Sequence, residues 1–202
     1  MATASQPSRR RLSRLLLVAL GTVAAGCGGP SDDEQIESAV KGVMEWASVK
    51  EQCETAVSER YVREVYVTLA RCRGVAAPAQ GDKARVFATR VDGDRASTGV
   101  TLTSARGARA TGRVALVRVD STWKVDRLGI DFLRSVFATL PKEGETAQER
   151  RILGCVAQAT RGLPAADVRR IGNLVVGQRL TRAALPVGAA RCIRRGGPRP
   201  AA

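Results

Sequence analysis

Residues 85–103 read RVFATRVDGDRASTGVTLT and residues 111–128 read TGRVALVRVDSTWKVDRL, and these two stretches decide the fold. In both, apolar and polar residues alternate with period 2, the signature of strands with one buried face. Val100 and Leu102 share a face; Val114, Leu116 and Arg118 alternate against Ala115, Val117 and Val119. Asp92-Gly93-Asp94 is a hairpin turn, Ala105-Arg106-Gly107 turns the chain again, and Asp120-Ser121-Thr122 leads into the last strand. The spacing predicts strands at Arg85–Val91, Ala96–Thr103, Thr111–Val119 and Trp123–Leu128. Connections this short make neighbouring strands antiparallel. The Asp-Gly-Asp run lacks the remaining ligands of a calcium loop, so it is read as a turn and no metal site is expected.

Upstream the period is near 3.6. Ser31 followed by Asp32, Asp33 and Glu34 is a helix start, a hydroxyl cap with acids at the positive end of the dipole. Ile36, Ala39, Val40, Val43, Met44 and Ala47 form one apolar stripe. A second helical pattern holds Cys53, Ala56 and Val57, and a third holds Tyr61, Val62, Val65, Tyr66 and Leu69. Gly74 to Asp82 reads as a loop. Helices followed by a hairpinned sheet predict an α+β fold with the helices on one sheet face.

Downstream lies a helical extension. Asp131 to Leu140 is a short amphipathic helix ending at Pro141, and Lys142 to Glu145 is a polar linker. Thr146 to Gly162 and Pro164 to Gln178 are two more helices, the second opened by a proline whose missing N–H is harmless there. Residues 131–195 are therefore expected to form a small all-α unit, held by a disulfide or by packing on the first domain. Residues 196–202 read as a disordered tail.

The amino terminus reads as an export signal. Arg9, Arg10, Arg11 and Arg14 precede an apolar run from Leu15 to Ala25, too short to span a bilayer, which needs about 20 residues. Ala24-Ala25-Gly26-Cys27 resembles the bacterial lipobox, which predicts cleavage after Gly26 and lipidation of Cys27. The alternative to lipidation is an ordinary secretory signal cut near Ala25, and Ser8-Arg9-Arg10-Arg11-Leu12 resembles a twin-arginine motif, which would make that the export route. Residues 1–26 are then a signal peptide and 27–33 a tether. The expected location is the extracytoplasmic face of the cell membrane, held by acyl chains.

The cysteines fit that compartment. With Cys27 assigned to lipid, Cys53, Cys72, Cys155 and Cys192 remain, an even number in an oxidising location. Of three possible connectivities, the local one (Cys53 with Cys72, Cys155 with Cys192) keeps each bridge within one structural unit.

Composition narrows the chemistry. The 202 residues contain no histidine, which excludes Ser-His-Asp and Cys-His nucleophile pairs, histidine metal sites and imidazole proton relays. Aromatics at 3% disfavour stacking platforms for nucleic acid, and no nucleic-acid partner is expected. The net charge of +14 comes from 33 basic residues, 28 of them Arg, against 19 acidic ones. Residues 142–202 carry 12 basic and 4 acidic residues, whereas 27–141 carry 17 and 15. Electrostatic function is therefore expected in the carboxy-terminal region, with Arg191, Arg194, Arg195 and Arg199 as candidate anion contacts.

The order of elements over residues 33–128 resembles the NTF2-like cone fold in small lipoproteins of the actinobacterial type. The residues carrying the resemblance are Cys53, Cys72, Val91-Asp92-Gly93-Asp94-Arg95-Ala96, Val114-Ala115-Leu116-Val117 and Trp123-Lys124-Val125. It implies a domain at 34–130 in which helices close the concave side of a curved antiparallel sheet, leaving a pocket. Enzymes of this fold resemble ketosteroid isomerases, dehydratases and polyketide cyclases, which rely on a buried Asp, Tyr or His. Here Tyr61 and Tyr66 would be the hydroxyl donors and Asp126 or Asp131 the base, although both tyrosines sit on an apolar stripe where core packing is the ordinary role. The favoured expectation is a non-catalytic envelope lipoprotein without cofactor, binding a small apolar ligand or a protein partner through the cone. The alternatives are an isomerase- or cyclase-like enzyme, and a basic scaffold touching anionic wall polymer or lipid through its carboxy-terminal region.

Overall fold

The computed structural model describes residues 29–45, 50, 52–75, 81–142, 144, 146–179 and 192. Residues 1–28, which include the expected signal peptide and Cys27, the expected tail at 196–202, and Arg191, Arg194, Arg195 and Arg199 lie outside the described residues.

The predicted meander is present. Strands β1 (Lys83–Asp92), β2 (Arg95–Thr103), β3 (Arg109–Val119) and β4 (Thr122–Leu128) form one antiparallel sheet in the order β1-β2-β3-β4. Val86 pairs with Val100, Thr98 with Val114 and Leu116 with Val125, so these residues share the inner face. A bulge between Phe87 and Arg90 places Ala88 at φ 51° and brings the Thr89 hydroxyl to within 2.9 Å of the buried Thr98 hydroxyl.

The β3–β4 turn has an unusual composition. Val119 pairs with Thr122, and both intervening residues have positive φ, 48° at Asp120 and 63° at Ser121. That is the backbone of a type I′ hairpin, which favours glycine at the second position. Ser121→Gly should therefore raise stability by about 1 kcal/mol, the lower end of the cost of a left-handed residue with a Cβ. A urea midpoint that stays put or falls would contradict this reading of the turn.

Helix α1 (Asp32–Met44) has the cap its sequence predicts: Ser31 Oγ accepts from Glu34 N, and the Glu34 carboxylate accepts from Ser31 N. It buries Ile36, Ala39, Val40, Val43 and Met44 against β1 and β4. The next two helical patterns are more broken than their periodicity suggests. Gln52–Ala56 is a π-helical turn, the one-turn α2 (Glu59–Tyr61) runs into a second π-helical turn at Val62–Tyr66, and α3 (Leu69–Gly74) is separate. Between them Val67 stands at φ 74°, ψ −46°, a region β-branched residues rarely enter. The physical reason is competition at Thr68, whose hydroxyl accepts from Arg71 N and starts a new helix carrying Cys72 toward Cys53.

Helix α4 (Ile130–Thr139) lies along the part of β3 that β4 does not reach. Gly129 N donates to Arg113 O, Asp131 Oδ2 accepts from Arg113 N at 3.0 Å, and Ser135 Oγ accepts from Thr111 N at 2.8 Å. These bonds satisfy an edge that would otherwise stay open. Helices α5 (Ala147–Arg161) and α6 (Ala165–Val176) then pack on α4. Val168 and Ile171 belong to the same core as Ile36, Val40, Tyr66 and Leu133. Arg134 donates to the carbonyls of Arg161 and Leu163 at 2.8 Å, capping the end of α5 with a cation. The hydrophobic core thus runs through residue 131 without a break.

Candidate functional site

The side chains between helices and sheet show what the interior can hold. Tyr61 and Tyr66 are each 1% exposed, with ring centroids 6.3 Å apart, among Val100, Val114, Val125 and Phe132. The resemblance implies a pocket at this place; these side chains fill it. Gln52, also 1% exposed, donates weakly to Val43 O at 3.5 Å. Among the described residues, the Tyr61 and Tyr66 hydroxyls and Gln52 Oε1 have no hydrogen-bond partner. Unpaired buried polar atoms are uncommon and costly, so three in one region mark it as unusual.

Burial raises the pKa of Tyr61 well above 10, with Tyr66 adding to it, and pushes Tyr66 up to about 12. Gln52 lowers the Tyr66 value against that burial, but its amide closes no hydrogen bond of ordinary geometry with the hydroxyl. A tyrosine that holds its proton longer when folded contributes stability fully below its unfolded pKa of about 10, and loses it as pH rises toward the folded value. Tyr66 alone should remove up to about 1.4 kcal/mol per pH unit in the window from about pH 10 to 12. Tyr66→Phe should leave neutral-pH stability unchanged or higher and make this alkaline loss shallower. Since the chain has only two tyrosines, absorbance at 295 nm reads both. Ionisation at pH 10 in the folded protein would show that the hydroxyls reach solvent.

The candidate carboxylates lie elsewhere. Asp126 accepts from Ser58 Oγ at 2.7 Å and faces Arg60 at 3.6 Å; Asp131 is bound to Arg113 N. Neither meets a tyrosine hydroxyl, so the Tyr–Asp pairing required by the enzymatic alternative is not assembled. The four cysteines form the two local bridges, Cys53–Cys72 and Cys155–Cys192.

An open cleft of about 340 Å³ lies between α1 and the first π-helical turn. Ser38, Ala39 and Gly42 form one wall, Gln52, Thr55 and Ala56 the other, and Trp123 lies at its end. Gly42 brings the walls close: a Cβ there would stand 3.3 Å from Ala56 Cβ. Trp123 is held by its indole N–H, which donates to Asp32 Oδ1 at 3.0 Å, and by the Arg118 guanidinium stacked 4.5 Å over its ring. The Trp123 hydrogen bond, followed by Arg118, keeps the Asp32 carboxyl below its ordinary value of 3.8, so this clasp loosens as pH falls below that range. Helical periodicity does not reveal Gln52 as a cleft residue; Trp123 was visible only as a strand aromatic.

No family model, curated protein or solved structure matches the chain. Among the described residues there is no cluster of acidic or thiol side chains suited to a metal ion, and no helix is long and apolar enough to cross a membrane.

Proposed function

We propose that the chain is a non-catalytic lipoprotein of the cell envelope, anchored through Cys27 at the extracytoplasmic face of the membrane. Its α+β domain is read as a variant of the NTF2-like cone in which side chains fill the interior. The ligand site is the cleft between α1 and the Gln52–Ala56 turn. The observation that carries the cleft reading is its geometry, an open space of about 340 Å³ between closely set helix walls with the fixed Trp123 ring in its lining. A small molecule with a mostly apolar body would fill this space, which is at the small end of ligand sites. Two disulfides support residence in an oxidising compartment. The sequence of the export signal supports the lipid on Cys27.

Mass spectrometry of the protein purified from membranes tests both parts. Under denaturing, non-reducing conditions the mature chain should begin at Cys27, carry acyl mass and lack four thiol protons. Under native conditions a small adduct should be present and should be lost in Ser38→Trp, which plugs the cleft from an exposed position. An unmodified Cys27 defeats the anchor reading. An absent adduct, or one that survives in Ser38→Trp, defeats the cleft reading.

A further inference from the structure

Counting charge by segment hides how the fold sorts it. On β1, β2 and β3 the cross-strand pairs define fifteen outward positions: 83, 85, 87, 90 and 92, then 95, 97, 99, 101 and 103, then 109, 111, 113, 115 and 117. Six of these are Lys or Arg, and only Asp92, at the hairpin end, is acidic. The basic six are Lys83, Arg85, Arg90, Arg95, Arg109 and Arg113. All are exposed, and among the described residues none has a side-chain hydrogen bond or ion pair. The contrast with neighbouring cations is clear. Arg127 is paired with Glu64, Arg118 with Asp32, and Lys124 reaches the Glu54 carbonyl. Within a nearly neutral segment, the fold thus gathers six cations without side-chain partners on one sheet face.

That face has a defined shape. β1 contributes Lys83, Arg85 and Arg90 on one side, and β3 contributes Arg109 and Arg113 on the other. Two strand spacings separate these lines of charge, about 10 Å. Between them β2 offers short side chains, Thr103, Thr101, Gly99 and Ser97, with Arg95 at one end. The Thr101 hydroxyl lies 3.1 Å from that of Thr111 in the next strand. The Phe87 ring lies over Gly99, where a Cβ would come within 2.5 Å of it, and remains 41% exposed. The result is a shallow trough with cationic walls, hydroxyls on its floor and one apolar seat.

We propose that this outer sheet face binds an extended polyphosphodiester chain built on a polyol, the chemistry of an anionic wall polymer. Paired lines of Arg and Lys match a linear row of phosphates, and threonine hydroxyls donate to phosphate oxygens. Phe87 takes the carbon skeleton between phosphates. Charged side chains two positions apart on a strand stand about 7 Å apart, so one chain lying along β2 meets several of them at once. A nucleic acid fits less well, because base stacking needs a series of aromatic platforms and Phe87 is alone on this face. An anionic bilayer also fits less well. The chain toward Cys27 leaves from the start of α1, beside Trp123, where Asp32, Asp33 and Glu34 cluster. Five residues reach at most about 18 Å, so a lipid on Cys27 would bring those acids to the bilayer ahead of the basic face. This site is separate from the cleft and does not depend on it.

The test uses the full chain carrying Cys27→Ser and fluorescence anisotropy with a labelled poly(glycerol phosphate) oligomer. Binding should be measurable in 50 mM salt and fall at least tenfold by 200 mM, as counterion release requires for several phosphate contacts. Arg85→Gln with Arg109→Gln, one from each wall, should weaken binding at least tenfold while the thermal midpoint stays unchanged. Phe87→Ser should weaken it about threefold. Arg151→Glu with Arg170→Glu, on α5 and α6, should bind like the parent although the net charge falls further. The proposal is overturned if the oligomer does not bind, or if the α5 and α6 variant loses as much affinity as the trough variant. It is equally overturned if oligothymidylate or phosphatidylglycerol vesicles bind more tightly than the polyol phosphate.

Discussion

Gly112→Ala is expected to be severely damaging for a change of one methyl group, lowering stability by about 3 kcal/mol or more. Gly112 pairs with Val100 on the inner face of the sheet, beneath the first turn of α4. A Cβ there would stand 2.2 Å from Phe132 N and 2.4 Å from Phe132 Cα. Both are backbone atoms, so no side chain can rotate away to make room. Relief requires lifting α4 from β3, which strains the bonds from Arg113 N to Asp131 and from Thr111 N to Ser135. It also pulls Phe132, Leu133 and Phe137, each 2–3% exposed, out of the core. For a slope near 2 kcal/mol per molar urea, the midpoint should fall by about 1.5 M. Gly154→Ala in the middle of α5 is the counterpart. The nearest atom to a Cβ there is Pro141 Cγ at 3.9 Å, so replacing a helical glycine should gain about 0.5–1 kcal/mol. If both substitutions moved the midpoint alike, the contact between α4 and β3 would be refuted.

Removal of Cys53–Cys72 by Cys53→Ala with Cys72→Ala should cost about 3–5 kcal/mol. Loop entropy alone favours the other bridge. A separation of 37 residues for Cys155–Cys192 predicts about 4 kcal/mol, against about 3 for the separation of 19 here. Burial reverses the order. Cys53 and Cys72 are 4% and 0% exposed within the main core, and their loss leaves unfilled volume among well-packed neighbours. They also tie the first π-helical turn to α3 across the strained Val67. Cys192 is as buried as Cys53, but Cys155 is exposed on α5, so this bridge offers one accessible side and should be reduced first under mild dithiothreitol. Alkylation and peptide mass analysis would show the order. Preferential early labelling of Cys53 and Cys72, or a double variant as stable as the parent, would overturn this account.

How legible was the rest? The meander could be read because each strand alternates cleanly and each connection has turn chemistry: Asp-Gly at 92–93, Gly107, and Asp-Ser at 120–121. Helix α1 could be read because its cap, dipole acids and apolar stripe agree. The stretches 53–57 and 61–69 read as two plain helices because π-helical turns keep nearly the same apolar spacing as an α-helix, and periodicity cannot register one extra residue in a turn. The filled interior was not foreseeable either. A buried tyrosine in a solid core and one lining a pocket have the same sequence signature.

The sequence by itself determined the strands, their antiparallel order, the capped first helix, and cysteine positions compatible with two local bridges. These follow from nearest-neighbour chemistry: side-chain period, turn residues, caps and chain separation. Only the tertiary structure decided that Gly112 lies beneath the backbone of α4, that Gln52 ends unpaired in a cleft wall, and that six cations spread over three strands share one outward face. Each of these joins residues far apart in the chain, and cross-strand register and helix docking are settled by the whole core at once. The total of charges stays the same however the chain folds, but the field they make depends on which face each strand turns outward.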